Sequence, residues 1–448
     1  MANTLDMTRG RITGLLAKFA VPLLLVNILQ VLYTLIDSVV VGQLLGIDAF
    51  AAVGASWAYY WLFLSAILGV SQGFGTLFAQ RFGAKDPEAL RRAFAMACLL
   101  TVAGGAAFSA GGALLCGPAL GWLGTPVDII DQAAVYLRIS TSGLWIAFGY
   151  NLLAAMLRGL GDSRTPLEAM ILSTLLNIAL DLILVAPLGV AGVAMATLIS
   201  QSVACAYCLR KLRRVPQAKL ARADFRWDAK AAGALLRLGL PLGFRNAVIS
   251  VGGLAVQNAI NGYDTVFVAG ITASRRLNDL LWIIGSALDG ALATFVAQNF
   301  GAKQLARIRH GVAIGRNMMI GAAVVILALA LVFGRTLLGL FFSGEAALAG
   351  EVLDVAQRQL TVTALGVPVL YMLFLYRSAL QGLGNAMIPM LSGFLELGLR
   401  LVCVLLLLPL LGEWSVYLAD AAGWVVAAPL LYVAYIIVFK KKMHAADI

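Results

Sequence analysis

Long apolar stretches recur along almost the whole chain, from about residue 12 to residue 439, and short polar segments separate them. A helix needs about 20 apolar residues to cross a bilayer, and the stretches meet that length. They predict helices at 14–43, 50–78, 93–116, 131–157, 165–186, 189–209, 232–260, 265–296, 311–333, 352–378, 386–410 and 414–439. The pattern therefore predicts an all-α integral membrane protein with twelve transmembrane helices.

Composition supports this prediction. The 448 residues are 61% hydrophobic and only 12% charged, whereas a soluble globular chain carries about a quarter charged residues. The formal net charge is +11, but the basic residues form short clusters between the apolar stretches. We therefore expect the lipid bilayer as a partner and no nucleic acid. The first apolar run is too long for the core of a signal peptide, so we expect no cleavable signal.

The basic residues also predict an orientation. They concentrate at the start of the chain, in the segment 79–92, in the segment 209–230 and at 440–442, whereas the alternate segments 117–130 and 187–189 have none. Cytoplasmic loops of membrane proteins carry the excess of Lys and Arg. We expect a multi-pass protein of the inner (plasma) membrane with both termini in the cytoplasm.

The two halves of the chain repeat each other. The sequence AQRFGAK at 79–85 recurs as AQNFGAK at 297–303, and MLRGLGDSRTP at 156–166 recurs as ALQGLGNAMIP at 379–389. The segment around Pro22 likewise matches the segment around Pro241. These matches predict two homologous six-helix bundles with a central cleft: an N-lobe at 1–208, a basic cytoplasmic linker at 209–231 and a C-lobe at 232–448. Parallel repeats of this kind are typical of transporters with alternating access.

Acidic residues occupy unusual positions in the first half. Asp37 lies inside the first predicted helix and Asp181 inside the fifth, although a carboxylate at mid-membrane costs on the order of 3 kcal/mol and marks ion or proton pathways. Tyr33 is four residues before Asp37, and Asn177 is four residues before Asp181, so each pair shares a helical face. Thr197 lies in the sixth predicted helix. If these three helices adjoin, the five side chains converge.

Such a cluster has two chemical uses, which the sequence leaves open. Oxygen ligands suit a hard cation such as sodium, with Asp37, Asn177, Asp181 and Thr197 as its ligands. Two neighbouring carboxylates in a medium of low dielectric also favour binding of a proton. Pro22, inside the first helix, removes a backbone hydrogen bond and makes a bend there easy. The alternative interpretation is that Asp37 and Asp181 are neutral, hydrogen-bonded structural groups.

The repeat provides a control for this hypothesis, because residues that only the fold requires should occur in both halves. They do not: the positions matching the three buried polar residues of the first half are apolar or basic. The matched pairs are Asp37 with Val256, Asn177 with Arg400, and Asp181 with Val404.

Taken together, the duplicated halves, the FGAK and RGLGD motifs and the N-x-x-x-D spacing of the fifth helix resemble the multidrug and toxic compound extrusion (MATE) family. The resemblance implies antiport of organic, often cationic, compounds against protons or sodium. It also implies an N-lobe cation site at Asp37, Asn177, Asp181 and Thr197, with Tyr33, Met170 and Pro22 at neighbouring positions. The seventh and tenth predicted helices lack the acids of one family branch, which favours a DinF-like branch.

Charged residues of the second half suggest a further hypothesis. Arg275 with Asp279, and Glu396 with Arg400, have the i, i+4 spacing of local ion pairs. Alternatively, the arginines present positive charge to an anionic substrate or a lipid headgroup. The residues that we consider for a substrate cavity are Met170, Arg245, Arg276, Glu396 and Arg400.

The leading functional hypothesis is a secondary active multidrug efflux antiporter that acts on small organic molecules. The alternative is a flippase for lipid-linked or anionic lipid substrates from the same broad superfamily. No phosphate-binding G-x-x-x-x-G-K-[ST] sequence is present, and no nucleophile triad or metal-ligand cluster is visible, so we do not expect an enzyme. We expect no cofactor and a monomer, because one chain supplies both lobes.

Overall fold

The computed structural model describes residues 4–122, 124–340 and 346–444, and within these ranges it is helical without a strand. The helices are α1 (Ile12–Leu45), α2 (Ile47–Gly83), α3 (Pro87–Trp122), α4 (Val127–Ser142), α5 (Leu144–Gly159), α6 (Arg164–Leu188), α7 (Val190–Leu212), α8 (Ala229–Ile260), α9 (Thr265–Gly301), α10 (Leu305–Gly339), α11 (Ala346–Gly382), α12 (Met387–Leu401), α13 (Leu408–Leu411) and α14 (Glu413–His444). A π-helical turn, Val402–Leu407, joins α12 to α13.

Twelve membrane spans are present in the described residues, as predicted. Eleven are single helical segments, and the twelfth is the pair α4 and α5, which bends by 42° at Gly143. The sequence predicted one unbroken helix at 131–157. The residue at the break is glycine, and its missing side chain leaves room for α7. A Cβ atom on Gly143 would lie only 2.0 Å from the side chain of Leu198.

Most helices are longer than their predicted spans. For example, α2 has 37 residues, which at 1.5 Å per residue is about 55 Å, whereas the hydrocarbon core of a bilayer is about 30 Å thick. Backbone hydrogen bonding continues into the region of the lipid headgroups, where polar side chains are tolerated. Apolar composition therefore predicted the membrane-spanning part of each helix and not the position of its ends.

Backbone geometry confirms the internal repeat. Three turns of the first half have left-handed residues, and the matching turns of the second half have the same conformation. The matched pairs and their φ angles are Lys85 (54°) and Lys303 (57°), Gly161 (85°) and Gly384 (82°), and Gly189 (58°) and Gly412 (55°). We call α1–α7 the N-lobe and α8–α14 the C-lobe; the exact residue borders of the domains stay a prediction.

Small residues bring the two lobes together along α2 and α8, which pack closely. A Cβ atom on Gly69 would lie 2.2 Å from the carbonyl oxygen of Leu242, and one on Gly73 would lie 2.5 Å from the Cα atom of Gly239. Close approach of membrane helices through small residues maximises van der Waals contact between backbones. In the internal repeat, α1 corresponds to α8 and α2 corresponds to α9, and α1 and α9 also pack against each other.

The repeated motifs meet each other at the end of the molecule that carries the basic segments. The Gln80 side-chain amide donates a hydrogen bond of 2.9 Å to the carbonyl oxygen of Gly382, and the Gln298 amide donates one of 3.0 Å to that of Gly159. Each glutamine thus bonds the glycine motif of the opposite lobe. We call these four residues the inter-lobe latch.

The segment before α1 reinforces the latch. Met7 is fully buried, and its backbone N–H donates to the side-chain oxygen of Gln298 at 2.8 Å. The carbonyl of Met7 accepts from the side-chain amide of Asn299 at 3.2 Å. The lobes are therefore closed against each other at this end.

Candidate functional site

Three helices of the N-lobe bring the predicted polar residues together, because α1 packs against α6 and α7. The hydroxyl groups of Tyr33 and Thr197 share a hydrogen bond of 3.0 Å. The carboxyl groups of Asp37 and Asp181 lie close enough to interact electrostatically. Asn177 lies one turn before Asp181 on the same face of α6. The five side chains occupy one region of the lobe, and their role in coupling stays a prediction.

This site is buried and rich in unpaired oxygen atoms. Asn177 is 1% exposed and Asp181 is 0% exposed, and Asp37 is half-buried. Within the described residues, no hydrogen-bond partner reaches Asp37 Oδ1, either carboxyl oxygen of Asp181 or the Asn177 side-chain nitrogen. Buried polar atoms in proteins almost always have partners. The arrangement therefore suits a small bound cation or proton.

Apolar residues cover the acids on one side. Val41 and Val185 lie four residues after Asp37 and Asp181, respectively, and both are buried in one apolar cluster. That cluster also contains Tyr136 from α4, which lies near both carboxyl groups. Sequence reasoning missed Tyr136, because nothing in the pattern indicates that α4 approaches α1. A polar residue inside a predicted span was the only available signal.

The chemistry of the side chains in this site restricts which ion it can bind. Within the described ranges, no group of three or more His, Cys, Asp or Glu side chains lies close enough to hold a metal ion. The site instead combines two carboxylates with the neutral oxygens of Asn177, Thr197 and Tyr33. Carboxylate, amide and hydroxyl oxygens suit hard cations, and a close pair of carboxyls shares a proton. The residues present fit either sodium or a proton.

A cavity of about 380 Å³ lies between the lobes beside this site. Its floor includes Thr76, Gly159 and Gln381, and the Gln381 side-chain amide donates to the Thr76 hydroxyl at 2.9 Å across the interface. The latch therefore closes the floor. The only charged residues of its lining within the described chain are Arg158 from the N-lobe and Asp289 from the C-lobe.

One face of α1 connects the cavity to the acids. Asn27, Gln30 and Tyr33 line the cavity, and Asp37 lies one turn further along. Spacings of three and four residues place these side chains on one side of a helix. The same face contacts the C-lobe, because the Asn27 side-chain amide donates to the hydroxyl of Ser286 at 2.9 Å. The spacing is visible in the sequence, but Asn27 and Gln30 were not among the predicted site residues.

The residues predicted for a substrate cavity divide into two groups. Met170 lines the cavity. Arg245, Glu396 and Arg400 are buried inside the C-lobe, and Arg276 is exposed; none of these four lines this cavity. Arg245 lies behind its wall, where the guanidinium donates to the Gln72 side chain at 3.3 Å. A contact of these charged residues with substrate stays a prediction.

The charges of the C-lobe pair with neighbouring helices and not along their own helix. Glu396 on α12 accepts a hydrogen bond from Arg377 on α11, and Arg400 Nε donates to Asp420 on α14 at 2.7 Å. The predicted local pair of Glu396 with Arg400 was wrong, because each side chain reaches a different neighbour. Arg275 likewise donates to Gln257 on α8, not to Asp279. Arg377, an arginine inside a predicted span, was overlooked.

Comparison with known proteins identifies relatives over most of the chain. The family model MatE matches residues 22–183 and 241–406. The probable multidrug resistance protein YoeA of Bacillus subtilis is 30% identical over 449 residues, which is 95% of this chain and 94% of the relative. YpnP of the same organism, with the same description, is 32% identical over 77% of this chain and 78% of its own length. The FAD transporter of Shewanella oneidensis is 25% identical over 91% of this chain and 89% of its own length.

Solved structures share the fold. A transporter of the MOP superfamily from Pyrococcus furiosus, described as having a binding pocket of reverse polarity, aligns with a TM-score of 0.89. It is 20% identical, and the alignment covers 98% of this chain and 99% of that one. The outward-facing conformation of a multidrug resistance MATE transporter aligns with a TM-score of 0.88 at 21% identity, over 99% of both chains.

Proposed function

The chain belongs to the multidrug and toxic compound extrusion (MATE) family, and we propose that it exports small organic compounds from the cytoplasm in exchange for protons or sodium. Relatives named as multidrug resistance proteins support this function. No relative quoted above is named for lipid translocation, so the flippase interpretation is not favoured. The multi-pass fold belongs in a membrane, which we take to be the inner membrane.

The observation that supports coupling best is the connection between the acid pair and the lobe interface through α1. A sodium ion or a proton bound at Asp37 and Asp181 cancels one of the two negative charges and so relieves the repulsion between the carboxylates. Its release restores repulsion between them, which pushes α1 away from α6. Because α1 also holds the C-lobe through the bond from Asn27 to Ser286, movement of α1 changes the lobe interface.

Pro22 makes such a movement easy. It lies inside α1 and is buried, and as a proline it cannot donate the backbone hydrogen bond to the carbonyl of Lys18. The neighbouring Leu23 packs against Gly290 of α9. We propose that α1 hinges here, and that the helix beyond Pro22 transmits the state of the acid site to the C-lobe.

The cavity is the proposed substrate site, and Asp289 is its carboxylate for organic cations. With the basic segments on the cytoplasmic side, the closed latch faces the cytoplasm and the cavity faces outward. Aromatic, amide and methionine side chains in the lining, such as Tyr150, Asn151 and Met170, tolerate varied ligands. Competition of dye efflux by organic cations and, separately, by FAD decides the charge preference.

Reconstituted liposomes test the coupling. We expect a sodium gradient or a pH gradient, imposed separately, to drive efflux of a cationic dye. Asp37→Asn removes one carboxylate of the pair and should reduce gradient-driven efflux at least about tenfold, a difference of ~1.4 kcal/mol in the barrier. Asp48→Asn, at an exposed position in the first turn of α2, is the matched control and should behave as the wild type. Normal coupled efflux in Asp37→Asn would end the proposal.

A further inference from the structure

The C-lobe contains a pseudo-symmetric counterpart of the N-lobe acid site, and its contents differ. We propose that the guanidinium of Arg400 is a built-in cation at this counterpart, which holds α8, α12 and α14 together during transport. The inference rests on the function proposed above, because it concerns how the C-lobe behaves in that transport cycle. It assigns Arg400 and Asp420 as positioning residues.

The correspondence follows from the repeat. The offset of 223 residues between the motifs, and between the left-handed residues Gly189 and Gly412, places Arg400 at the position of Asn177 and Asp420 at that of Thr197. The offset of 219 residues from Pro22 to Pro241 places Gly252 at the position of Tyr33. The C-lobe site thus lies among α8, α12 and α14, as the N-lobe site lies among α1, α6 and α7.

Arg400 fills this space. Its side chain is 6% exposed, and Nε donates to the Asp420 carboxylate at 2.7 Å. Nη1 donates to the backbone carbonyl of Ile249 on α8 at 3.1 Å. A Cβ atom on Gly252 would lie 3.1 Å from Nη1, so the guanidinium occupies the space where the side chain of a Tyr33 counterpart would begin. One cation therefore joins the three helices.

Backbone geometry marks the same place. The π-helical turn Val402–Leu407 begins two residues after Arg400, whereas the matching part of α6, which contains Asp181, is a regular α-helix. Pro409 follows the turn and cannot continue the hydrogen bonding of an α-helix, and π-turns are frequent at functional positions. The π-helical turn changes the direction in which the residues after it point, relative to Arg400 on α12.

The physical consequence concerns charge. In the N-lobe, buried oxygens of both carboxylates have no donor among the described residues, and the pair requires an exchangeable cation or proton to lose its repulsion. In the C-lobe, the Asp420 carboxylate accepts a hydrogen bond from Arg400, a cation that is covalently part of the chain, and Arg275 adds a second positive charge near it. The packing of α8, α12 and α14 therefore keeps the cation-bound arrangement through the whole cycle, while the packing of α1, α6 and α7 changes.

Exchange of a cationic dye between equal concentrations inside and outside liposomes tests the proposal without an ion gradient. We expect Arg400→Ala to slow this exchange at least about tenfold. Guanidinium chloride in the medium should restore it by entering beside Asp420, whose side chain is 41% exposed. Arg400→Lys, which retains the tethered charge, should stay within about twofold of the wild type.

A purely structural ion pair gives a different result. Replacing both partners of such a pair by apolar residues often restores stability, so Arg400→Met with Asp420→Leu would then exchange dye normally. We expect this double variant to fold, to exchange dye slowly and to ignore guanidinium, because a cation is required. Normal exchange in the double variant would overturn the proposal, even if Arg400→Ala fails to fold. Failure of the proposed function would instead leave the wild type without dye exchange.

Discussion

The two lobes share a fold but differ in the partners of their acidic residues. In the N-lobe, Asp37 and Asp181 lie close together, and buried oxygen atoms of both have no hydrogen-bond partner within the described part of the chain. In the C-lobe, the buried Glu396 accepts from Arg377, and Arg400 bonds Asp420. The helix packing around both regions is the same by the internal repeat. The buried carboxylates lie at positions that do not match in the repeat. The shared fold therefore does not require them, and their roles must be explained separately for each lobe.

These roles follow from the partners. The buried carboxylate of Glu396 pairs with Arg377 and stabilises the packing, since removal of either partner leaves an uncompensated charge in a dry environment. A buried carboxylate that faces only another carboxylate depends on a mobile cation or proton. Under the proposed function, the two halves of the repeat therefore differ: the N-lobe changes its charge state and the C-lobe does not.

Stability should distinguish the lobes most strongly. Glu396→Gln leaves Arg377 without its counter-charge, and we expect a loss of about 3–5 kcal/mol in the free energy of unfolding. Asp181→Asn removes an acid whose oxygens have no hydrogen-bond partner among the described residues, and we expect no loss or a gain in the free energy of unfolding. Thermal unfolding of both variants in the same detergent measures the difference. Equal losses would mean that the N-lobe acids are structural groups too.

The latch offers a test of symmetry. A Cβ atom on Gly83 would lie 1.9 Å from the carbonyl oxygen of Gln298, and one on Gly301 would lie 1.9 Å from that of Gln80. We expect Gly83→Ala and Gly301→Ala to shift the ratio of closed to open latch by about tenfold or more, ~1.4 kcal/mol, toward open.

Spin labels on the exposed loop residues Lys85 and Lys303 report this opening as a longer inter-label distance. Gly233→Ala is the control, because no atom lies within 4 Å of its added Cβ. An unchanged distance distribution in both glycine variants would show that the latch closes without this close approach.

The smallest effect is expected from the latch hydrogen bonds, and here the lobes should differ slightly. Gln80→Ala removes one inter-lobe hydrogen bond, worth about 1 kcal/mol. Gln298→Ala removes the equivalent bond and also the acceptor of the Met7 N–H. We expect Gln298→Ala to open the latch further than Gln80→Ala, with the same labels as the measure. A larger effect of Gln80→Ala would contradict the stabilising role of the segment before α1.

Local pattern was sufficient for the number of membrane spans and for the repeat, and it made Asp37, Asn177 and Asp181 candidates for a site. Apolar length defines a membrane span, and a carboxylate inside a span is conspicuous. Pattern was insufficient for the bend at Gly143, where Leu198 of another helix packs so closely that a Cβ atom would clash, because a contact between distant segments is not visible in local sequence. Pattern was also insufficient for the ion pairs of the C-lobe. Glu396 and Arg400 on α12 bond residues on α11 and α14, and the sequence does not show which of these helices each side chain faces.

The sequence by itself determined that the chain is a duplicated twelve-helix membrane protein and that its halves differ at the positions of Asp37, Asn177 and Asp181. Periodicity and composition are local properties, and an internal repeat needs no coordinates. The tertiary structure alone decided that the two acids face each other, that Arg400 fills the matching space in the C-lobe and that the cavity lies between Asp289 and α1. Those facts depend on which helices are neighbours and how they are rotated, and neither is encoded in any single stretch of the chain.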